Sequence, residues 1–456
     1  MLQLCWNLCR MPPKAEFNMV PFNKTDLPEK VILSGADCFH LVLDKHAKKH
    51  GAGGNVMRKI FYFDNALSFE KIEGILKSSA VIYWLCNIKL VHGSFFKLPY
   101  WKYTDNNNEI ILLEHHATNE NEIPEIILTR DITVESARFI DADLVYYPSG
   151  GSAFVLSWNH ILLDAKGTTL LFEHLNQLSE NKPQKTDSFF PAKEKKHNII
   201  AHISNMYKVK KFVQVSARPP VSSVANAATK ARNSNTRTKI ISFTVDETKK
   251  INESAFITGS RFGPTLYLVA SCSQVIHLLN QQRNKAGDLW VPVPYDGRLR
   301  GSMGPLISNC VSFIFYRIPQ TELNNITQIV KCLSAQMASQ IKNGIPQKYT
   351  TFLNMMRHAP LWLYYFLIYN TNKGVFASFL YTSTGDNFND LASLFGEPIR
   401  NINLIPALTF PPGLTFVFLK HHDKLNINIA YSPDIISHNE LHLIEQKLTE
   451  ILLADY

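Results

Sequence analysis

Apolar and polar positions along the chain keep two rhythms. Short runs rich in branched and aromatic residues, at 31–33, 57–63, 126–128, 144–147 and 153–158, read as strands. Between them, residues 67–78 carry apolar positions at helical spacing with Glu and Lys on the open face. A second helix is predicted over 167–178, where Leu170, Leu171, Leu175 and Leu178 fall on one side. The second half restarts with a strand at 240–245 and helices over 246–258 and 264–282. Strands at 289–294 and 311–318 and helices over 322–343 and 349–369 follow. A strand at 374–384, a strand pair at 414–419 and 425–431, and a closing helix over 437–453 complete the pattern. His421-His422-Asp423-Lys424 reads as the turn of that pair, not a ligand cluster. Both halves mix strands and helices in a similar order, which predicts an α/β (α+β) chain built of two lobes.

From 179 to 238 the composition shifts to Lys, Ser, Asn, Ala and Pro, with a short helix predicted near 199–213. Residues 225–237 read as exposed or poorly ordered chain. The expected division is an N-terminal lobe at 20–180, a basic linker at 181–238 and a C-terminal lobe at 239–456. A length of 456 residues agrees, since a single core rarely grows so large.

Charge and cysteine usage narrow the classes of function. A formal net charge of +9 suggests an acidic partner: coenzyme A phosphates, an acidic carrier protein, an anionic membrane surface or nucleic acid. Much of the basic excess lies in the linker, so the sequence does not favour nucleic acid. Seven cysteines, scattered singly without a C-x-x-C pair, argue against a disulfide framework or a zinc site and fit a reducing, cytoplasmic setting. No apolar run reaches the roughly 20 residues needed to span a bilayer. The longest, at 359–369, reads as a buried helix, with peripheral contact at an inner membrane face as the alternative. Residues 1–9 are apolar but lack a basic start and a cleavage site, so no signal peptide is expected; Met11 or Met19 are alternative starts.

The candidate chemistry lies where the strand at 153–158 gives way to the helix at 167–178. Trp158-Asn159-His160 ends the strand, and Asp164 follows four positions after His160. A general base must be held in one orientation, and an aspartate one short turn on can anchor the loop that holds it. The same spacing recurs at His40 and Asp44, and nearly at His116 and Glu120. His40 lies on a periodic apolar segment and reads as a core or surface histidine. His115 and His116 read as solvated loop residues. There is no G-x-S-x-G elbow, P-loop or G-x-G-x-x-G, so serine-hydrolase and nucleotide chemistry have no support. A second segment, Val291 to Asn309, has a strand, a turn carrying Tyr295 and Arg298, a Gly-rich loop, and Asn309 heading the next strand.

Together these segments resemble the condensation-domain superfamily, whose fold is that of chloramphenicol acetyltransferase and which includes acyltransferases akin to wax ester synthases. The resemblance covers about residue 36 to the C-terminus. The family pattern is His-His-x-x-x-Asp-Gly; here Asn159, His160, Asp164 and Ala165 stand at those positions, keeping the second histidine and the aspartate. The resemblance implies two lobes forming a pseudo-dimer, with a tunnel at their junction. An acyl thioester on coenzyme A or a carrier protein would be a co-substrate, no cofactor being bound permanently. The acceptor would be a hydroxyl or an amine. His160 would act as general base, and Asp164 would pair with Arg298 to fix the loop. Oxyanion candidates are the N–H groups near Gly167, the Asn309 side chain, and Thr382, Ser383 or Thr384; Trp158 and Tyr295 are candidates to line the tunnel, and Asn159 is a further oxyanion or tunnel candidate. A free-standing chain leans toward ester formation. The alternatives are an amide-forming enzyme and a non-catalytic protein that docks a carrier.

Overall fold

The computed structural model describes residues 22–456 except 53, 96, 136–137, 185–188, 193–198, 227, 233–235, 299–301, 303, 372–373, 375, 386–388 and 390. At 199–202, 370 and 371 it describes the backbone. The apolar start, Met11, Met19 and parts of the linker and the Gly-rich loop therefore lie outside the described residues.

A five-stranded sheet forms the first lobe, in the order Asn401–Ile405, Val56–Phe63, Ser152–Asn159, Ile140–Tyr146, Leu112–His116. Its central strand, Ser152–Asn159, is buried along its whole length, which is why the sequence there is nearly all apolar. Successive side chains serve opposite faces. Phe154, Leu156 and Trp158 join the larger core, while Ala153 and Val155 pack with Ile60, Tyr62 and Val145 in a smaller one.

The second lobe has a four-stranded sheet, Leu380–Ser383, Leu414–His421, Lys424–Tyr431, Arg237–Ser242, and a three-stranded one, Val311–Ile318, Asp288–Asp296, Val221–Ser222. Trp290 and Ser378 join them through hydrogen bonds of 2.8 Å from Trp290 N to Ser378 Oγ and from Ser378 N to Trp290 O. The turn between Leu414–His421 and Lys424–Tyr431 has positive φ at His422 (47°) and Asp423 (56°), as a tight two-residue hairpin requires.

Several elements differ from the sequence expectation. Residues 126–128 belong to a helical turn, Glu125–Thr129, in which Ile127 is buried and Ile126 points to solvent; three consecutive apolar residues cannot fix a period. The helix expected over 349–369 is two helices, Ile345–Met356 and Leu361–Thr371, split just ahead of Pro360, because the residue before a proline disfavours helical backbone. Among the described residues of 374–384 only Leu380–Ser383 is strand. His115 and His116 are on the strand Leu112–His116, where His115 Nε2 lies 2.9 Å from the buried Asp143 carboxylate.

The strand Asn401–Ile405, unmarked by any clear alternation, pairs antiparallel with Val56–Phe63. The C-terminal half of the sequence thus completes the sheet of the first lobe. The helix Ile199–Ser216 is not a solvated tether: Val209 and Val213 are buried against the helix Ile345–Met356. Likewise, Val221–Ser222 in the expected linker pairs with the strand Asp288–Asp296, and Ala225, at the start of the stretch expected to be exposed, is buried in the second core.

Ile402 on the crossing strand is fully buried. Ile402→Ala is expected to lower the unfolding free energy by about 2–5 kcal/mol, read by urea denaturation followed by circular dichroism. An unchanged midpoint would mean that this strand does not hold the first sheet.

Candidate functional site

The strand Ser152–Asn159 ends in a turn built by Asn159. Its Oδ1 accepts from Ile161 N (3.2 Å) and its Nδ2 donates to Ile132 O (2.8 Å), so the side chain shapes the backbone that presents His160. Asn159 and Trp158 are buried and do not face the cavity described below; Trp158 Nε1 donates to Leu163 O at 3.3 Å. Trp158 is therefore a core residue, not part of a tunnel wall. His160 N donates to Asn55 O at 2.8 Å, tying the turn to the start of the neighbouring strand.

Asp164 caps the helix Ala165–Ser179 and anchors the turn from the far side. Oδ1 accepts from Gly167 N (2.9 Å) and Arg298 Nη2 (3.0 Å), and Oδ2 from Arg298 Nη1 (2.9 Å) and Cys310 N (2.8 Å). The Asp164 and Arg298 side chains retain 13% and 4% exposure, so the pair is withdrawn from water and fully hydrogen-bonded on the carboxylate side. Burial disfavours the guanidinium charge, but the Asp164 carboxylate outweighs it and holds Arg298 above the ordinary arginine range.

Asn309 locks the turn from a third direction. Its Nδ2 reaches Asp37 Oδ1 (2.9 Å), His160 O (2.9 Å) and Ile161 O (3.0 Å), and its backbone N donates to Asp37 Oδ1 (2.7 Å). Asp37 also accepts from Ser34 N at 2.7 Å, closing the capping box of the helix Gly35–Lys49. Two of the expected oxyanion donors are thus committed elsewhere. The Asn309 amide is spent on the His160 loop, and Gly167 N on Asp164. The need for glycine at 167 is steric: a Cβ there would collide with the Leu306 carbonyl oxygen, where the helix start closes on the 304–309 segment.

His160 lines a cavity of about 440 Å³ whose wall draws on both halves of the chain. This is the size of a small-molecule site. Phe39, Met57, Trp290, Phe313, Phe315 and Tyr349 make most of it apolar, and Tyr295, Thr382, Ser383 and Thr384 lie on its wall. Met206, Val209 and Val213 bring the linker helix into the wall, and Lys166, Lys210 and Arg298 add positive charge. Sequence reasoning did not anticipate His40. It sits on the helix Gly35–Lys49 and stacks on His160, with ring centroids 3.9 Å apart and planes inclined by 28°. Its spacing to Asp44 was visible in the sequence, but helical periodicity does not tell which cavity a buried residue faces.

Burial holds the His160 imidazole below the ordinary histidine range. The carbonyls of His160 and Leu163, the Asp164 charge and Asn309 act in the opposite sense. His160 Nδ1 is buried with no hydrogen-bond partner among the described residues, leaving Nε2 as the nitrogen for the cavity. The ring is consequently neutral near pH 7 and able to accept a proton.

Comparison with solved structures shows the fold. The chain is similar to the first condensation domain of the CDA synthetase (13% identity, 93% of this chain and 96% of that one, TM-score 0.63). It is similar as well to TRI3 trichothecene 15-O-acetyltransferase from Fusarium sporotrichioides (12% identity, 93% and 95%, TM-score 0.64). A third is the starter condensation domain of rhizomide synthetase, seen with C8-CoA and Leu-SNAC (9% identity, 94% and 95%, TM-score 0.62). No family model and no curated protein matches the sequence. The two-lobed architecture expected from the His160 and Arg298 segments is therefore that of condensation domains and related acyltransferases.

Asp164→Asn removes the nearer of the two carboxylates beside Arg298, Asp296 Oδ1 lying at 3.4 Å, and disturbs four hydrogen bonds. Breaking a buried pair in this way is expected to cost about 3–5 kcal/mol of unfolding free energy, measured by urea denaturation. A loss under about 1 kcal/mol would place the pair among the weak surface bridges.

Proposed function

We propose that the protein is an acyltransferase that moves an acyl group from a thioester to a hydroxyl acceptor, with His160 as general base. The observation that carries this reading is a neutral, strand-end imidazole on the wall of an apolar cavity, its loop fixed from behind by Asp164, Arg298 and Asn309. Fold alone does not assign an activity. It adds weight here because the neighbours include an O-acetyltransferase and a domain seen with an acyl-coenzyme A.

In this reading His160 Nε2 takes the acceptor's O–H proton as the oxygen attacks the thioester carbonyl. The new C–O bond forms while the carbonyl electron pair moves onto oxygen. Collapse of that intermediate breaks the C–S bond, and the imidazolium returns its proton to the departing thiolate. No covalent bond to the protein is needed. Asp164 touches neither substrate, since its oxygens are occupied. The apolar wall suits an acyl chain, and Lys166 and Lys210 suit the phosphates of coenzyme A or of a carrier's phosphopantetheine arm.

Among the described residues no helix is long and apolar enough to cross a membrane. A lipid acceptor met at a membrane surface fits the helix Leu361–Thr371, whose Trp362 and Phe366 are 59% and 54% exposed one turn apart.

The test is thiol release from a panel of acyl-coenzyme A and acyl-carrier thioesters offered with pooled alcohols and amines. Acceptor-dependent release by the wild type should vanish in His160→Ala, with the melting temperature nearly unchanged. kcat/KM should fall as pH drops through a value below the ordinary histidine range near 6.5 and stay level above it. Equal release by both proteins would contradict the role of His160. Turnover confined to amines would make the product an amide.

A further inference from the structure

Acyl transfer needs a hydrogen-bond donor aimed at the carbonyl oxygen as it gains charge, and such a donor is often the largest single contribution to the rate. With Gly167 N and the Asn309 amide engaged elsewhere, the donor must come from another part of the cavity wall. His40 meets the requirement. It lines the same cavity, stacked on His160 with ring centroids 3.9 Å apart, so both imidazoles border the same space.

The tautomer of His40 follows from its partner. Asn55 Nδ2 lies 3.2 Å from His40 Nδ1 and 3.4 Å from His40 O. A carbonyl oxygen only accepts, so the amide group facing it is the NH2, and that same NH2 must donate to Nδ1. The ring hydrogen of His40 is then on Nε2. Asn55 is itself held, its backbone N donating to Asp44 Oδ1 at 2.9 Å, and its carbonyl accepts from His160 N at 2.8 Å. One residue therefore orients the His40 ring and anchors the backbone that carries His160.

We propose that His40 is a catalytic residue whose Nε2–H donates to the thioester carbonyl oxygen as it becomes an oxyanion, while His160 handles the proton. This rests on the acyl-transfer reading above. His40 neither gains nor loses a proton: the carbonyl electron pair moves onto the oxygen, is stabilised by the Nε2–H, and returns as the C–S bond breaks. Burial and the adjacent His160 keep the ring neutral, as a donor that must not surrender its proton requires. The neighbouring His40-x-x-x-Asp44 spacing thereby acquires a purpose, since Asp44 fixes Asn55 and Asn55 fixes His40.

The experiment is isotope-edited infrared spectroscopy of octanoyl-coenzyme A, 13C-labelled at the carbonyl, bound to the full chain. The wild type should move the carbonyl band to lower wavenumber. His40→Phe, which keeps a flat ring against His160, should abolish the displacement, whereas His160→Ala should retain it. His40→Gln, with an amide N–H in place of the ring N–H, should restore most of it. Thiol release should fall about 10²-fold in kcat in His40→Phe with little change in KM, and recover substantially in His40→Gln, which no proton-transfer role would allow. A band equally displaced in wild type and His40→Phe, or undisplaced in bound wild type, overturns the assignment and leaves acyl transfer standing. Failure of the wild type to bind the thioester counts against acyl transfer itself, and the assignment falls with it.

Discussion

The site depends on how one buried carboxylate is satisfied. Taking Asp164 and Arg298 out of water costs several kcal/mol per ion, and attraction between them offsets this only when the remaining polar sites are filled. They are: Gly167 N, Cys310 N and both terminal nitrogens of Arg298 converge on the two oxygens of Asp164. These donors come from a helix start, a strand start and a turn after another strand, in different parts of the sequence. The 160–164 loop cannot shift without disturbing a buried ion pair, and the carboxylate thereby fixes the backbone that carries His160.

Much of this was legible in the sequence because local patterns dictate it. A β-favouring run ending in His160, an aspartate that can cap the next helix, and an arginine in a turn after a buried strand each carry a local signature. What escaped is what only the tertiary fold determines. Asp37 closes the capping box of the helix Gly35–Lys49, but nothing local shows that its other oxygen holds Asn309. His40 has helical, apolar neighbours, which left core and surface both open and said nothing of the cavity it faces. The strand Asn401–Ile405 joins a sheet some 340 positions away in sequence, a pairing that alternation cannot reveal. The helix within the basic linker differs for the opposite reason: the composition around it reads as a connector, while Val209 and Val213 at i, i+4 face inward and carry the packing.

The cavity combines two neutral imidazoles with a wall that is otherwise mostly apolar. Low polarity keeps both rings uncharged, which suits one as acceptor of a proton and the other as a fixed donor. It also strengthens any hydrogen bond made to a developing charge. The positive side chains Lys166 and Lys210 belong to the same wall, beside helices that also show apolar surface. An amphiphilic donor with an apolar acyl chain and an anionic handle matches that division.

The account turns on Asp164 acting through Arg298, and a double-mutant cycle tests that most directly. Unfolding free energies of the wild type, Asp164→Ala, Arg298→Ala and the double variant would be compared under one buffer. A coupling of about 2 kcal/mol or more is predicted, because either single change removes the bidentate partner of the other residue in a site largely withdrawn from water, and Asp296 Oδ1, 3.4 Å from Arg298 Nη1, is exposed. Additive effects, with a coupling near zero, would show that the two residues act independently and would contradict the account of how His160 is held.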